Sequence, residues 1–255
     1  MNLKLMSFNT QHCLNYISKK IDFSAVADVI KEYGSDIVGL NEMRGAGEHP
    51  EYTAQTETLA EALGFHYYFA KAIDAYGKNN PYGNALLSRY PIISAETVMI
   101  PDPNPKRFNG YYETRCVLKA KIDTPAGVIT VLVTHFGLNA DEAENAVSTV
   151  VENLESEKCV LMGDFNLTPD SSILLPIRER LFDTAELFTE ELGSFPSDTP
   201  DRKIDYMFTS REIKVLSADI PPVVVSDHRP YIAEIELQFS PSLKISLGAE
   251  PKCFL

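Results

Sequence analysis

Short apolar runs recur along the chain, and the clearest of them end at a polar residue. Runs at 3–9, 36–41, 84–88, 114–122, 128–135, 159–164, 204–209 and 231–237 read as β-strands. Several alternate apolar and polar positions, as expected where one face of a sheet is covered. Between them lie helical periods. Ala143, Val147, Val150, Val151 and Leu154 share one face, and Phe23, Val26, Val29, Ile30 and Tyr33 form a second stripe stopped by Gly34. A third helix near 56–63 stops at Gly64. Thr124-Pro125-Ala126-Gly127 reads as a hairpin turn, so the runs on either side are antiparallel and a mixed sheet is expected.

No repeat, low-complexity segment or flexible linker divides the chain, and the segment 101–110, with its prolines, reads as a loop. Residues 1–239 therefore read as one domain, with 240–255 as a tail or an added edge segment. At 255 residues and 44% hydrophobic content the chain can bury a sizeable core. Its 36 acids against 23 bases leave a formal charge of -13, which opposes broad electrostatic capture of a polyanion. Cys13, Cys116, Cys159 and Cys253 show no C-x-x-C spacing, so reduced thiols and no structural zinc are expected. The first residues run directly into a strand pattern without the features of a signal peptide, and no apolar run approaches the roughly 20 residues that cross a bilayer. A soluble cytoplasmic protein without stable membrane association is the expectation.

The polar ends of the strands carry the candidate chemistry. Glu42 closes an apolar run, a common place for a carboxylate that binds a hydrated hard cation. Asp164 and Asn166 follow another run two residues apart, so an extended backbone projects both to one side and turns Phe165 into the core. The competing reading is an Asx turn that merely ends the strand. Asp227 and His228 follow a valine run, and Asp205 lies on a separate strand that can approach His228. A carboxylate paired with an imidazole fixes its tautomer and raises its pKa. His135 closes a further run, while His12, His49 and His66 lack such settings and receive no role. Carboxylates, carboxamides and imidazoles gathered at one place suit a divalent cation and a phosphate ester.

Taken in order, Ser7-Phe8-Asn9, Asn41-Glu42, the segment 84–92, Thr134-His135, Gly163-Asp164-Phe165-Asn166, Ile204-Asp205-Tyr206 and Ser226-Asp227-His228 resemble the motifs of the endonuclease/exonuclease/phosphatase superfamily. That superfamily includes deoxyribonucleases, apurinic endonucleases, sphingomyelinases, inositol polyphosphate phosphatases and deadenylases. The resemblance implies an α/β fold, a four-layered α/β/β/α sandwich of two mixed sheets flanked by helices, with the site where strand ends of both sheets meet. It implies Glu42 as principal metal ligand with Asn9 and Asp227 close to the ion, Asp164 orienting the water, and Asn166 on the phosphate. It also implies His228, paired with Asp205, at the scissile phosphate, with His135 there or at the leaving group. Arg115 is similar in placement to a phosphate-binding arginine of the superfamily, the competing reading being a surface pair with Glu113. Asn139, four residues after His135, is a weaker phosphate contact, and Arg44 and Arg229 read as surface or supporting residues. Gln11 stands where some members have an acid, and Asn41 where Gln is common.

The resulting expectation is a magnesium- or manganese-dependent phosphoesterase that hydrolyses a phosphate monoester or phosphodiester by in-line attack of water. The acidic balance favours a small phosphorylated substrate over a nucleic acid; a DNA or RNA nuclease is the alternative, and an inert binding domain on the same fold a third reading. The sphingomyelinase-like reading ranks low because a signal peptide is missing. Loops at 45–52, 73–82, 101–112 and 195–202 would choose the substrate, with Tyr76, Tyr82, Phe108, Tyr111 and Tyr112 able to stack on a base or sugar or to pack their own loops.

Overall fold

Each apolar run becomes a strand, and the alternation along it divides the side chains between two cores. In strand β1 (Asn2–Asn9), Leu3 and Leu5 enter one buried cluster while Met6 and Phe8 enter another. The structure, a computed structural model, describes residues 1–75 and 77–238. Tyr76 and the segment expected to be a tail lie outside the described residues, as does Cys253.

The remaining elements, in chain order, are α1 (Phe23–Glu32), β2 (Ile37–Arg44), α2 (Gln55–Leu63), β3 (His66–Asp74), β4 (Pro81–Ser88) and β5 (Ile92–Met99). They continue with β6 (Cys116–Thr124), β7 (Gly127–His135), α3 (Ala140–Asn153), β8 (Cys159–Asp164) and α4 (Leu175–Arg178). The last are β9 (Phe182–Asp183), β10 (Asp205–Thr209), β11 (Lys214–Asp219) and β12 (Tyr231–Glu236). They make two six-stranded sheets, in the orders β11-β12-β1-β2-β4-β3 and β5-β6-β7-β8-β10-β9. Both are mixed: β1 pairs with β2 and β7 with β8 in parallel, and their other pairings are antiparallel. Thr124 faces Gly127 across the expected hairpin.

Three apolar layers hold this sandwich together. The middle one, between the sheets, contains Leu3, Leu5, Val131, Val133, Val160, Met162 and Met207. On the outer side of the first sheet Met6, Phe8, Val38 and Leu40 meet Val26, Val29 and Ile30 of α1 and Leu59 of α2. On the outer side of the second, Leu132 and Leu161 meet Ala143, Val147 and Val150 of α3, with Phe165 packed 4.4 Å from Phe136 and 5.1 Å from Tyr206 between ring centroids. Burial of these side chains is the main force holding helix to sheet and sheet to sheet. The sheets approach closely over Gly39, where a Cβ would lie 2.7 Å from the Met162 sulfur. Gly163 is equally constrained, since its φ is +146° and a Cβ would strike the Thr134 carbonyl of the neighbouring strand.

The middle layer turns polar at one end. Along β1 the inward positions run Leu3, Leu5, Ser7, Asn9; along β7 they end at His135, along β8 at Asp164, and antiparallel β10 begins with Asp205. Register aligns these ends: Asn9 faces Asn41, His135 faces Asp164, and Asp164 faces Asp205. Among the described residues Cys13, Cys116 and Cys159 are free buried thiols. No helix among them is long and apolar enough to cross a membrane.

Candidate active site

The polar end of the middle layer is a single constellation, and one carboxylate oxygen lies at its centre. Asp164 Oδ2 accepts from Asn9 Nδ2 at 3.0 Å and lies 3.4 Å from His135 Nε2 and 3.6 Å from His228 Nε2. Asp205 Oδ2 meets His228 Nδ1 at 2.8 Å. Residues far apart in sequence thus meet because Asn9, His135, Asp164 and Asp205 sit at strand ends whose register is fixed by the core beneath them, while His228 comes from the loop that precedes β12.

Glu42 reaches the site through a backbone irregularity. Strict alternation along β2 would place Asn41 and Met43 on the inner side and turn Glu42 outward. Instead Glu42 adopts φ +62°, the pairing with β4 shifts register between Leu40 and Met43, and Met43 packs in the outer layer. Asn41 and Glu42 can then both serve the inner side. A left-handed non-glycine residue costs on the order of 1–3 kcal/mol, which the flanking strand pairs must overcome. Glu42 Oε1 accepts from Asn9 Nδ2 at 3.2 Å, and burial first, then the charge of Asp227, raises its carboxyl above the usual range while the Asn9 bond opposes the shift.

Asn166 departs from the extended geometry expected for the Asp164–Asn166 pair. Strand β8 stops at Asp164, Asn166 turns to φ +50°, and its backbone N–H donates to Asp164 Oδ1 at 3.0 Å. The Asx turn therefore forms, and it also carries the Asn166 amide to the site, where Nδ2 donates to the Phe136 carbonyl at 3.0 Å and lies 3.2 Å from His135 Nε2. Phe165 does turn into the core.

The two histidines are electrostatic opposites. Burial alone lowers an imidazole, but Asp205 and Asp164 outweigh it at His228 and hold its pKa up at about 10, so the ring is cationic. At His135 burial acts first and the Arg115 guanidinium and His228 add to it, so the pKa falls well below 6.5. Arg115 Nη1 lies 3.1 Å from His135 Nδ1 and 2.6 Å from Glu113 Oε1. Arginine only donates, so His135 Nδ1 accepts and the ring proton occupies Nε2, facing Asp164. Burial raises the Asp164 carboxyl to about 7, against the pull of His228.

Asp164, Asp205 and His228 are close enough to share an ion, their ligand atoms lying within 4.8 Å of one another. The 2.8 Å bond to Asp205, however, makes His228 itself the cation of that trio. Glu42 and Asp227 are a second pair of carboxylates whose negative charges interact, and carboxylate oxygens are the kind of donor that could hold a hard divalent cation. Asn9 turns its amide nitrogen to Glu42 and Asp164, because its Oδ1 accepts from the Gln11 backbone at 3.1 Å.

Other expectations fall differently. Asn139 lies at the head of α3, where its Nδ2 donates to the Tyr111 carbonyl at 2.8 Å and to Glu142 Oε2 at 2.7 Å rather than to the central constellation. Tyr112 donates to Asp141 and lies under Lys106, packing its own loop. Arg44, read as a surface or supporting residue, is buried. Asn41 has a part that sequence reasoning missed. Its Nδ2 donates to Asn84 Oδ1 at 2.8 Å and to the Thr134 carbonyl at 2.9 Å, and its Oδ1 accepts from the Asp164 N–H at 3.0 Å. Asn84 Nδ2 in turn reaches the Cys116 carbonyl at 3.0 Å. These amides stitch the first sheet to the second directly behind Asp164; the available signal was a carboxamide within or at the end of two apolar runs, 36–41 and 84–88.

Comparison with known proteins identifies the family and the fold. A family model described as the Endonuclease/Exonuclease/phosphatase family matches residues 6–228. A protein of Escherichia coli strain K12 named YbhP, itself uncharacterised, is 27% identical over 266 aligned positions, covering 92% of this chain and 97% of its own. An endonuclease/exonuclease/phosphatase structure from Beutenbergia cavernae superposes with a TM-score of 0.78 at 23% identity, covering 93% of this chain and 72% of that one. A mannosyl-6-phosphatase of Bacteroides thetaiotaomicron gives 0.72 at 18% identity, covering 92% and 99%. The human Nocturnin catalytic domain, with sulfate bound, gives 0.68 at 16%, covering 93% and 94%. At such identities the likeness between structures is one of fold.

Proposed function

The chain belongs to the endonuclease/exonuclease/phosphatase family, and from that premise we propose that it is a divalent-metal-dependent phosphoesterase acting on a small phosphate ester. The observation that carries the reading is the convergence on Asp164 Oδ2 of Asn9, His135 and His228 within 3.0–3.6 Å.

Asp164 orients the attacking water and takes up its proton, a task suited to a carboxyl raised by burial to about 7. His228, kept cationic by Asp205, binds a phosphoryl oxygen and stabilises the charge that builds there during in-line displacement. His135 offers its Nε2 proton on the leaving-group side, with Asn166 and Arg115 beside it to bind phosphoryl oxygens. Glu42 and Asp227, beside Asn9, would hold magnesium or manganese, which when bound neutralises phosphoryl charge and polarises the ester. The net charge of -13 supports a small substrate over a long polyanion. A cytoplasmic location belongs to the same proposal.

Hydrolysis of bis-p-nitrophenyl phosphate by the full chain is expected to stop when divalent ions are stripped and to return with magnesium or manganese. Undiminished activity after complete stripping would remove the metal from this account. Release of inorganic phosphate from small esters, weighed against nicking of plasmid DNA, separates phosphatase from nuclease; efficient nicking without phosphate release replaces the first reading with the second.

A further inference from the structure

Glu113 has no task in the reaction proposed above, yet it stands on the arginine that would bind the phosphate. Its Oε1 lies 2.6 Å from Arg115 Nη1, with the two side chains 15% and 12% exposed. Glu113 Oε1 and Arg115 Nε are shut off from solvent, so water and salt screen this pair little. The residue also lines a cavity of about 440 Å³ that opens beside Glu42, together with Arg44, His12 and Tyr82.

The carboxylate is fixed from two further sides. Its Oε2 accepts from the Tyr111 hydroxyl at 3.0 Å, and the Glu113 backbone N–H donates to Glu142 Oε1 at 3.1 Å. Glu142 belongs to the cap of α3, where its Oε2 accepts from the Asn139 backbone N–H at 3.1 Å. A phosphate that arrives at Arg115 therefore meets a carboxylate already in place. None of these contacts calls for a charge on Glu113. A carboxamide there would accept from Arg115 through its oxygen and donate to the Tyr111 hydroxyl through its nitrogen. What remains to be explained is the negative charge itself.

That charge bears directly on the ligand. Arg115 and Glu113 together are neutral, so the pair offers a phosphoryl oxygen a donor without the full attraction of a cation. A ligand charge seated on the guanidinium also faces the carboxylate across it, at a separation on the order of 6 Å; with an effective dielectric of about 20, each such charge is disfavoured by roughly tenfold or more. The second pKa of a phosphate lies at about 6, so a monoester or free phosphate carries close to two charges above neutrality and a diester carries one.

We propose that Glu113 is a specificity-determining residue, a fixed carboxylate that weakens the hold of the site on doubly charged phosphate, product included, relative to singly charged phosphate. The inference rests on the phosphoesterase reading above and adds to it a residue that sorts ligands by charge.

The test uses the full chain with magnesium at about pH 8, where inorganic phosphate is a dianion and dimethyl phosphate a monoanion. Their dissociation constants are read by calorimetry, without turnover. Glu113→Gln is expected to bind inorganic phosphate more tightly than the unaltered chain does, and to shift the ratio of the two constants by roughly tenfold in favour of the dianion. Loss of a merely structural contact would weaken both ligands, so a gain for the dianion is the signature of charge. Glu113→Asp keeps the charge and is expected to keep the native ratio, and Glu113→Ala takes the place of Glu113→Gln if that variant does not fold. A ratio that stays put when the charge is removed, or that moves as far in Glu113→Asp, overturns the proposal. If the unaltered chain cleaves bis-p-nitrophenyl phosphate and the ratio does not move, only this inference falls. If no ester is cleaved and inorganic phosphate does not bind, the phosphoesterase reading falls with it.

Discussion

His135 and His228 lie 3.4 Å and 3.6 Å from the same carboxylate oxygen and are both 4% exposed, yet one is neutral and the other cationic. Burial acts on both in the same direction. What differs is the neighbour at Nδ1: a carboxylate of Asp205 at 2.8 Å for His228, a guanidinium of Arg115 at 3.1 Å for His135. The pair illustrates that neighbouring charges decide what burial does to an imidazole: Asp205, helped by Asp164 and Asp227, overrides it at His228, and Arg115 reinforces it at His135.

The most damaging way to break the contrast is to remove the cation. His228→Ala is expected to lower turnover on bis-p-nitrophenyl phosphate by at least about two orders of magnitude, with Asp164→Asn similar, whereas His135→Ala costs roughly tenfold. Equal losses at the two histidines would dissolve the distinction. Next comes Asp205→Asn, which keeps the side-chain shape and removes the charge. Turnover should fall between roughly tenfold and a hundredfold, and the imidazole resonance of His228, followed by NMR, should titrate well below the native value of about 10. An unmoved titration would show that Asp205 is not what sustains the cation.

Stability offers a gentler probe with opposite signs for the two rings. His228 has a folded pKa raised from 6.5 to about 10, so its stabilising contribution is complete below pH 6.5 and is lost as pH climbs towards 10. His135 has a folded pKa below 6.5, so the unfolded chain takes up a proton that the native site refuses and stability declines as pH falls beneath 6.5. Denaturant unfolding of His135→Gln should therefore show a shallower loss between neutral and mildly acidic pH than the unaltered chain; parallel curves would contradict the neutral assignment. Smallest of all, Arg115→Met should let the His135 pKa rise towards 6.5, visible in the same NMR titration, and lower turnover by less than about tenfold.

Legibility in the sequence divides along the sheets. The apolar runs that mark strands correspond to β1, β2, β4 and β12 in one sheet and β6, β7, β8 and β10 in the other, all interior strands. Those that escaped notice, β3, β5, β9 and β11, are the sheet edges. An interior strand between two covered faces must be apolar over most of its length, whereas β11 buries none of its residues fully and β5 none of its own. Edge strands leave a weaker pattern because half their neighbours are water. The site follows the same logic. Asp164, His228 and Asp205 could be found because a polar residue ending an apolar run is conspicuous, but the turn at Asn166, the reversal of side at Glu42 and the placing of Arg44 and His12 on one cavity depend on backbone angles and on distances across the sandwich, which no run of letters displays.

Asn41 carries a consequence of a different sort. It gives two hydrogens and receives one, spanning both sheets at a spot where a carboxylate could only receive and a plain hydrocarbon could do neither. Tolerance to replacement there is therefore governed by donor and acceptor parity rather than by size or polarity. Sliding one sheet against the other would break these bonds behind Asp164, so the amide favours keeping the two halves in one fixed arrangement.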